Sequence, residues 1–196
     1  MNPLFSPSAY QRPAGVDEAG RGPLAGPVVA AAVLLPEGKT PPWPLADSKT
    51  IPHERRVALF DWLYESGAEI GVGIVDHEEI DKMNILRASL HAMKKAVLEL
   101  KNPPDFLMID GTFTLDMPLR QEAIVKGDSK VAAISAASIV AKVTRDRMMD
   151  EFHKQFPQYG FDRHKGYPTK EHKQAIIKHG PSPIHRRTFR GVKETC

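Results

Sequence analysis

The chain has 196 residues, 41% hydrophobic and 26% charged, which is typical of one ordinary globular domain. The longest apolar run, Val28–Leu35, is too short to cross a bilayer, the first residues lack a signal-peptide pattern, and the single cysteine, Cys196, excludes an internal disulfide. The net charge is +3, but residues 163–196 hold nine Lys or Arg against two acidic residues, which indicates either a polyanionic partner or a solvated basic tail.

We therefore expect one cytoplasmic domain over residues 1–196, with a loosely ordered Pro- and Ser-rich tail over residues 1–12. The first ordered stretch runs from Ala14 to Leu35, where an apolar run bounded by Gly and Pro predicts a buried strand. Asp17 and Glu18 lie just before this apolar run, and we expect them at a sheet edge on rigid backbone, where they could bind a cation. Salt-bridged acids in a plain turn are the alternative.

The segment Gly20-Arg21-Gly22, with Gly26 after it, has the glycine content of a phosphate-binding loop. Its spacing fits neither the dinucleotide fingerprint nor the P-loop. The Pro-rich residues 36–44 predict a loop that leads to Asp47-Ser48-Lys49, and a helix is expected from Pro52. A strand over residues 68–75 follows, and Asn84 is expected to cap an amphipathic helix that ends before Asn102.

A second acidic position ends the short apolar strand that we predict over residues 106–109. Alternating helices and strands from here favour parallel crossover units, whose strands end at the same edge of the sheet, where ligands bind. Asp110 could therefore approach Asp17. A carboxylate that merely caps the turn is an equally open reading.

An edge strand is predicted over residues 121–125, and an apolar, buried helix follows over residues 131–143. Asp128 precedes this helix and could cap it or deliver a carboxylate to the sheet edge. Asp146 lies five turns farther along, about 27 Å away, so we expect it to form a salt bridge on the helix rather than to share a ligand with Asp128. A basic loop and a short amphipathic helix over residues 170–179 complete the chain.

The four acids at element ends, Asp17, Glu18, Asp110 and Asp128, are the ligand type that Mg²⁺ or Mn²⁺ prefers. The eight histidines show no zinc-binding spacing, and no nucleophile-elbow motif is present. A carboxylate cluster with basic surroundings favours two-metal cleavage of phosphodiester bonds.

At these residues the chain resembles bacterial ribonuclease HII, the type 2 ribonuclease H family. The resemblance covers nearly the whole chain, from about Ala14 to Phe189. The blocks that carry it are Gly15-Val-Asp-Glu-Ala-Gly-Arg-Gly-Pro-Leu-Ala-Gly-Pro-Val, Asp47-Ser-Lys49, Asn84-Ile-Leu86, Ile109-Asp-Gly111, Lys126-Gly-Asp128, Ala136-Ala-Ser-Ile139, Ala141-Lys-Val-Thr-Arg-Asp146, Gly166-Tyr167 and Gly180-Pro-Ser-Pro-Ile-His-Arg-Arg187.

The resemblance implies a ribonuclease H-like α/β fold with a five-stranded mixed sheet flanked by helices and a small C-terminal helical extension. It implies endonucleolytic cutting of RNA in RNA–DNA hybrids and 5′ of single ribonucleotides in duplex DNA, with removal of RNA primers and misincorporated ribonucleotides as the role. The residues that it matches to the metal ligands are Asp17, Glu18, Asp110 and Asp128.

For the substrate, the resemblance matches Gly20, Arg21 and Gly22 to the reader of the ribose 2′-hydroxyl and Tyr167 to its partner at the RNA–DNA junction. Lys49, Lys142, Arg145 and the basic tail would then hold phosphates, although surface cations are common without such a role. Residues 190–196 lack the clamp-docking segment of some archaeal relatives, so we expect no sliding-clamp partner, and we expect a monomer. A nuclease for DNA junctions and a non-catalytic hybrid-binding protein are the alternatives.

Overall fold

A computed structural model describes residues 10–45, 48 and 50–195, so that Asp47, Lys49 and Cys196 lie outside the described residues. The strands are β1 (Pro13–Ala19), β2 (Val28–Leu34), β3 (Glu69–Val75), β4 (Phe106–Asp110) and β5 (Gln121–Ile124). The helices are α1 (His53–Glu65), α2 (His77–Met83), α3 (Ile85–Leu98), α4 (Ala132–Gln155), α5 (Phe161–His164) and α6 (Lys170–His179).

The strands form one mixed sheet in the order β3-β2-β1-β4-β5. β1 pairs antiparallel with β2 and parallel with β4, while β2–β3 is antiparallel and β4–β5 is parallel. The five-stranded mixed sheet is as predicted. β1 is the central strand rather than an outer one, and Asp17 and Glu18 lie near its carboxyl end, where they pair with Ala31 and Ala30 of β2.

The sheet is covered on both faces, which explains why every residue of β2 is buried. Alternate residues of β2 face opposite sides: Ala30 and Ala32 join the cluster around α3, and Ala31 and Val33 join the cluster around α1 and α4. The small side chains of β2 let α3 on one face and α4 on the other approach the sheet closely. A β-carbon built on Gly15 of β1 would stand 2.1 Å from the carbonyl carbon of Ala133, so only glycine lets α4 lie this close to the central strand.

Several local predictions are confirmed. Asn84 caps α3 by accepting a hydrogen bond from the Arg87 amide, and β3 and α6 lie where the sequence pattern placed them. The crossover prediction fails between β4 and β5, since residues 111–120 contain no helix.

The end of the predicted N-terminal tail, residues 10–12, is ordered, while residues 1–9 of that prediction lie outside the described residues. The ring of Tyr10 stacks on Phe106 with centroids 4.1 Å apart. The amides of Gln11 and Arg12 donate to the Asp105 carboxylate at 2.8 and 3.0 Å, so residues 10–12 are tied to the start of β4.

None of the helices in the described part of the chain is long and apolar enough to cross a membrane.

The C-terminal helical extension packs on the loop between β1 and β2. Its apolar cluster contains Tyr159, Phe161 and Ile184 together with Ala25 of that loop and Met149 of α4. The backbone continues this contact, because Ala25 and His185 form an isolated antiparallel bridge and the Arg186 amide donates to Leu24 at 2.8 Å. The extension is therefore the support on which residues 20–27 rest.

Candidate active site

Acidic residues from two neighbouring parallel strands converge at one edge of the sheet. Asp17 and Glu18 lie near the end of β1, and Asp110 is the last residue of β4 beside it. Asp17 is only 5% exposed, and its Oδ1 accepts a hydrogen bond from the Glu18 amide at 2.7 Å. Strands that run in parallel end on the same side of a sheet, so the topology itself brings these side chains together.

The convergence shows in the electrostatics of the two acids on β1. Burial, and then the charges of Glu18 and Asp110, hold the pKa of Asp17 well above its usual value. Burial also raises the pKa of Glu18, although the Arg21 guanidinium, 3.4 Å from its Oε1, acts in the opposite direction. Removing carboxylates from water next to one another costs free energy that a bound cation or a proton would offset.

Asp128 lies in a different element, a turn that is tied to the end of β4. It lies half-buried in the short 3₁₀ turn Gly127–Ser129, ahead of α4, whose N-cap residue is Val131. The Gly127 amide donates to Asp110 Oδ1 at 2.7 Å, which ties this turn to the end of β4. The predicted reading of Asp128 as the N-cap of the long helix is therefore wrong, because a separate turn intervenes.

Two serines that sequence reasoning quoted only as parts of motifs lie beside the acids. The Ser138 side chain, one helical turn before Lys142 on α4, hydrogen-bonds to Asp17. Its Oγ also lies 2.9 Å from Ser48 Oγ, which links α4 to the loop ahead of α1. Both hydroxyls are buried, so this pair holds the Asp17 carboxylate in place.

A cleft of about 350 Å³ opens in front of these groups. Two of the four predicted acids, the glycine loop and several predicted substrate contacts share its lining, whereas Asp17 and Asp128 are not part of it. The lining residues are Glu18, Ala19, Gly20, Arg21, Gly22, Ser48, Asp110, Ser138, Lys142 and Tyr167. Among the described residues, no three Asp, Glu, His or Cys side chains already stand as a preformed metal-ligand set. The donor chemistry nevertheless suits a hard divalent cation, since burial and the charge of Asp110 raise the pKa values of Asp17 and Glu18 there.

The predicted phosphate-binding cations differ in placement. Lys142 lines the cleft and forms the predicted helical salt bridge of Asp146, with Nζ 2.6 Å from Oδ1. Arg145 is 1% exposed, and its guanidinium donates to the carbonyls of Ala25, Pro27 and Lys165. The expectation that Arg145 binds phosphate is therefore corrected, because its donors are already used inside the protein. Lys49 lies outside the described residues.

The glycine loop and Tyr167 face each other across the cleft mouth. Gly20 has φ of +104°, a conformation that favours glycine, and the Gly22 α-carbon lies beside the Tyr167 ring, since a β-carbon there would be 3.5 Å from Cε1. The Tyr167 side chain is 38% exposed. Its ring is thus available at the surface next to the loop.

A chain of buried histidines, which sequence reasoning missed, holds the backbone of Tyr167. The Ser182 amide donates to His185 Nδ1 at 2.8 Å, the Nε2 atoms of His185 and His172 are 3.0 Å apart, and His172 Nδ1 lies 2.9 Å from the Tyr167 carbonyl. These contacts are all satisfied when both rings are neutral, with His185 donating to His172 and His172 donating to the carbonyl. Burial lowers the pKa of His172 to about 4 and that of His185 to about 3.

The strand order, with acidic residues gathered at one sheet edge under a long helix, defines an α/β protein of the ribonuclease H-like class. The family model of ribonuclease HII matches residues 14–192, and the chain belongs to that family. It is therefore a metal-dependent ribonuclease H.

Relatives and solved structures agree with this assignment. The ribonuclease HII of Geobacter metallireducens is 55% identical over 191 residues, covering 97% of this chain and 89% of its own length. The crystal structure of ribonuclease H2 from Pyrococcus horikoshii superposes with a TM-score of 0.76 at 28% identity, covering 94% of this chain and 97% of that one. Ribonuclease HII of Archaeoglobus fulgidus, solved in complex with PCNA, superposes with a TM-score of 0.74 at 24% identity, covering 92% of this chain and 96% of that one. At this identity, the likeness supports the shared fold only.

The histidine chain predicts how stability depends on pH. The unfolded chain takes up protons near the ordinary histidine pKa of 6.5, whereas folding lowers the pKa of His185 to about 3. This contribution to stability is therefore complete above about pH 6.5 and is lost as the pH falls toward 3. Urea unfolding of the wild type and His185→Asn at several pH values measures it. The urea midpoint of the wild type should drop more steeply below pH 6.5, and parallel pH profiles would contradict the assignment.

Proposed function

We propose that this cleft cuts the RNA strand of RNA–DNA hybrids and nicks DNA on the 5′ side of a single embedded ribonucleotide, leaving 3′-hydroxyl and 5′-phosphate ends. The observation that carries the proposal is the presence in one cleft of Glu18, Asp110, the Gly20–Gly22 loop and Tyr167. An acidic centre alone suits many nucleases. A glycine loop and an exposed aromatic ring beside it suit a nuclease that inspects the sugar.

We propose Asp17, Glu18, Asp110 and Asp128 as the ligands of Mg²⁺ or Mn²⁺, with two ions during catalysis. Their placement at the ends of β1 and β4 and in the turn before α4 supports this set. Burial, and to a smaller extent the charge of Asp110, raises the pKa values of Asp17 and Glu18, and a divalent cation would offset the cost of keeping these carboxylates ionised. The chemistry that such ions supply when bound is a lower pKa for the attacking water and neutralised charge on the leaving oxygen.

The residues around the acids have supporting roles in this proposal. Ser138 orients the Asp17 carboxylate through its hydrogen bond. Arg21 balances part of the charge of Glu18 before substrate arrives. Lys142, whose ammonium lines the cleft beside Asp146, would pair with a backbone phosphate of the bound strand, a contact that adds affinity without sequence preference.

Selection of ribose follows from the loop and the tyrosine. The 2′-hydroxyl is the group that separates RNA from DNA at any one position, and it can donate and accept hydrogen bonds. The lack of side chains at Gly20 and Gly22 lets backbone groups approach it closely. The Tyr167 ring, beside Gly22, is placed to stack on the next sugar and to favour one that lacks the hydroxyl.

The monomeric state, the absence of a clamp partner and the cytoplasmic location remain predictions. The two competing functions differ in their substrates. A junction-specific DNA nuclease would cut an all-DNA duplex, and a hybrid-binding protein would cut nothing at any metal concentration.

The proposed function is tested with a labelled duplex that contains one ribonucleotide, incubated with Mg²⁺, Mn²⁺ or EDTA and compared with an all-DNA copy. We expect a nick directly 5′ of the ribonucleotide that requires metal and leaves a 3′-hydroxyl end. Equal cutting of the all-DNA copy would favour the junction nuclease. Binding without any nick would favour the hybrid-binding protein.

Asp110→Asn separates a metal ligand from a structural acid. Asn keeps an oxygen that can accept the Gly127 hydrogen bond but removes a negative charge from the cluster. Cleavage should fall by more than about a hundredfold, as for loss of a metal-site interaction, while hybrid binding and thermal stability are kept. Loss of folding, seen by circular dichroism, would instead indicate that Asp110 is structural.

Tyr167→Ala tests the junction-reading role, with Tyr167→Phe as the matched control that keeps the ring. Loss of an aromatic stacking contact with a base is worth about 1–3 kcal/mol, and for a comparable contact with the sugar, cutting at an isolated ribonucleotide should fall about tenfold. Cutting within a long RNA tract should fall less, and the Phe variant should retain most of the activity. Equal losses on the two substrates would count against the role.

A further inference from the structure

Arg186 is a fully buried cation that hydrogen-bonds to the back of the glycine loop. Its side chain is 0% exposed. Its Nη2 donates to the Gly20 carbonyl at 2.6 Å and to Pro27 at 3.1 Å, and its Nη1 donates to Arg21 at 3.2 Å and to Pro23 at 2.8 Å. Its Nε donates to the Gly26 carbonyl at 3.0 Å. Five carbonyls of one loop thus converge on a single guanidinium.

Arg186 is itself held rigidly. Its amide donates to the Leu24 carbonyl, and its guanidinium lies over the Phe189 ring, 5.0 Å from the centroid. Burial, followed by the charge of the nearby Arg145, lowers its pKa to about 9, so the protein bears a real desolvation cost to keep a cation here. Filling the space at this position would not by itself require a charged guanidinium group.

The peptide geometry shows what this arrangement does to the cleft. In a trans peptide the C=O of one residue and the N–H of the next point in opposite directions, and the described residues contain no cis peptide. Because Arg186 draws the carbonyls of Gly20 and Arg21 inward, the amides of Arg21 and Gly22 are turned outward. Gly20, Arg21 and Gly22 line the cleft, so outward is the side on which the substrate would lie.

We propose that Arg186 is a positioning residue for ribose selection: it fixes the Gly20 and Arg21 carbonyls so that the Arg21 and Gly22 amides are presented to the 2′-hydroxyl. This inference rests on the proposed function of the loop. Arg186 does not touch the substrate and acts through the backbone. It is required as arginine, because a planar fork can hold the two carbonyls together whereas a lysine ammonium keeps the charge without that geometry.

The test compares Arg186→Lys with the wild type by equilibrium binding in EDTA, where no cleavage occurs. The measured quantity is the ratio of Kd for an all-DNA duplex to Kd for the same duplex with one ribonucleotide. Each net hydrogen bond is worth about 1 kcal/mol, or about fivefold, so loss of one or two should lower this ratio about fivefold to twenty-fivefold. The Kd for the all-DNA duplex should stay unchanged.

Arg145→Lys is the matched control. Arg145 of α4 is another buried guanidinium that contacts this loop, but its hydrogen bonds go to Ala25, Pro27 and Lys165 rather than to the Gly20 or Arg21 carbonyls. The control should lose stability while keeping the Kd ratio. Equal ratios in Arg186→Lys and the wild type, or equal loss in both variants, would overturn the role of Arg186. A wild type with no preference for the ribonucleotide would overturn the proposed reading of ribose as well.

If Arg186→Lys does not fold, a measurement on the wild type tests whether the Arg21 and Gly22 amides contact the ribonucleotide. Hydrogen exchange of the Arg21 and Gly22 amides is followed by NMR with each duplex in EDTA. The ribonucleotide duplex should slow both amides several-fold more than the all-DNA duplex does. Equal protection by the two duplexes would overturn the inference.

Discussion

Repulsion among buried carboxylates is the constraint on which the rest of this structure depends. Asp17 and Glu18 on β1 and Asp110 on β4 are brought together because two neighbouring parallel strands end at one edge. Burial, and then the neighbouring carboxylates, raise the pKa values of Asp17 and Glu18, and these raised values reflect the cost. The protein offsets part of it with local hydrogen bonds from the Glu18 amide, Ser138 and the Gly127 amide, and with Arg21. A bound divalent cation would offset the rest of this cost.

The loop after β1 depends on a second set of buried polar contacts, which the C-terminal extension supplies. The loop after β1 carries the backbone groups proposed to read the sugar, and it has too little side-chain volume to pack by itself. The C-terminal extension supplies its rigidity through a backbone bridge, the buried guanidinium of Arg186 and the histidine chain that ends on the Tyr167 carbonyl. The extension therefore joins the loop and the tyrosine that are proposed to read the substrate, while the sheet holds the acids.

Much of the fold could be predicted from the sequence because its signals are local. Apolar runs, the Asn84 cap and the spacing of α6 each depend on neighbouring residues. The roles of Arg145 and Arg186 could not be predicted, because an arginine in the sequence does not reveal whether its guanidinium is buried against distant carbonyls or exposed to bind a phosphate. The carboxylates fell in between: the topology argument anticipated the approach of Asp110 to Asp17, but the sequence could not show that β1 is the central strand.

The measurement that tests the central claim most directly is a Mn²⁺ titration of the nucleic-acid-free protein by calorimetry, repeated in two buffers of different ionisation enthalpy. If the carboxylates converge as described, Mn²⁺ binds and displaces protons from Asp17 and Glu18, whose pKa values are raised, so the apparent enthalpy differs between buffers near the pH where they titrate. Asp17→Asn should reduce both the affinity and the proton release. Binding that is absent, or that persists unchanged in Asp17→Asn, would contradict the account.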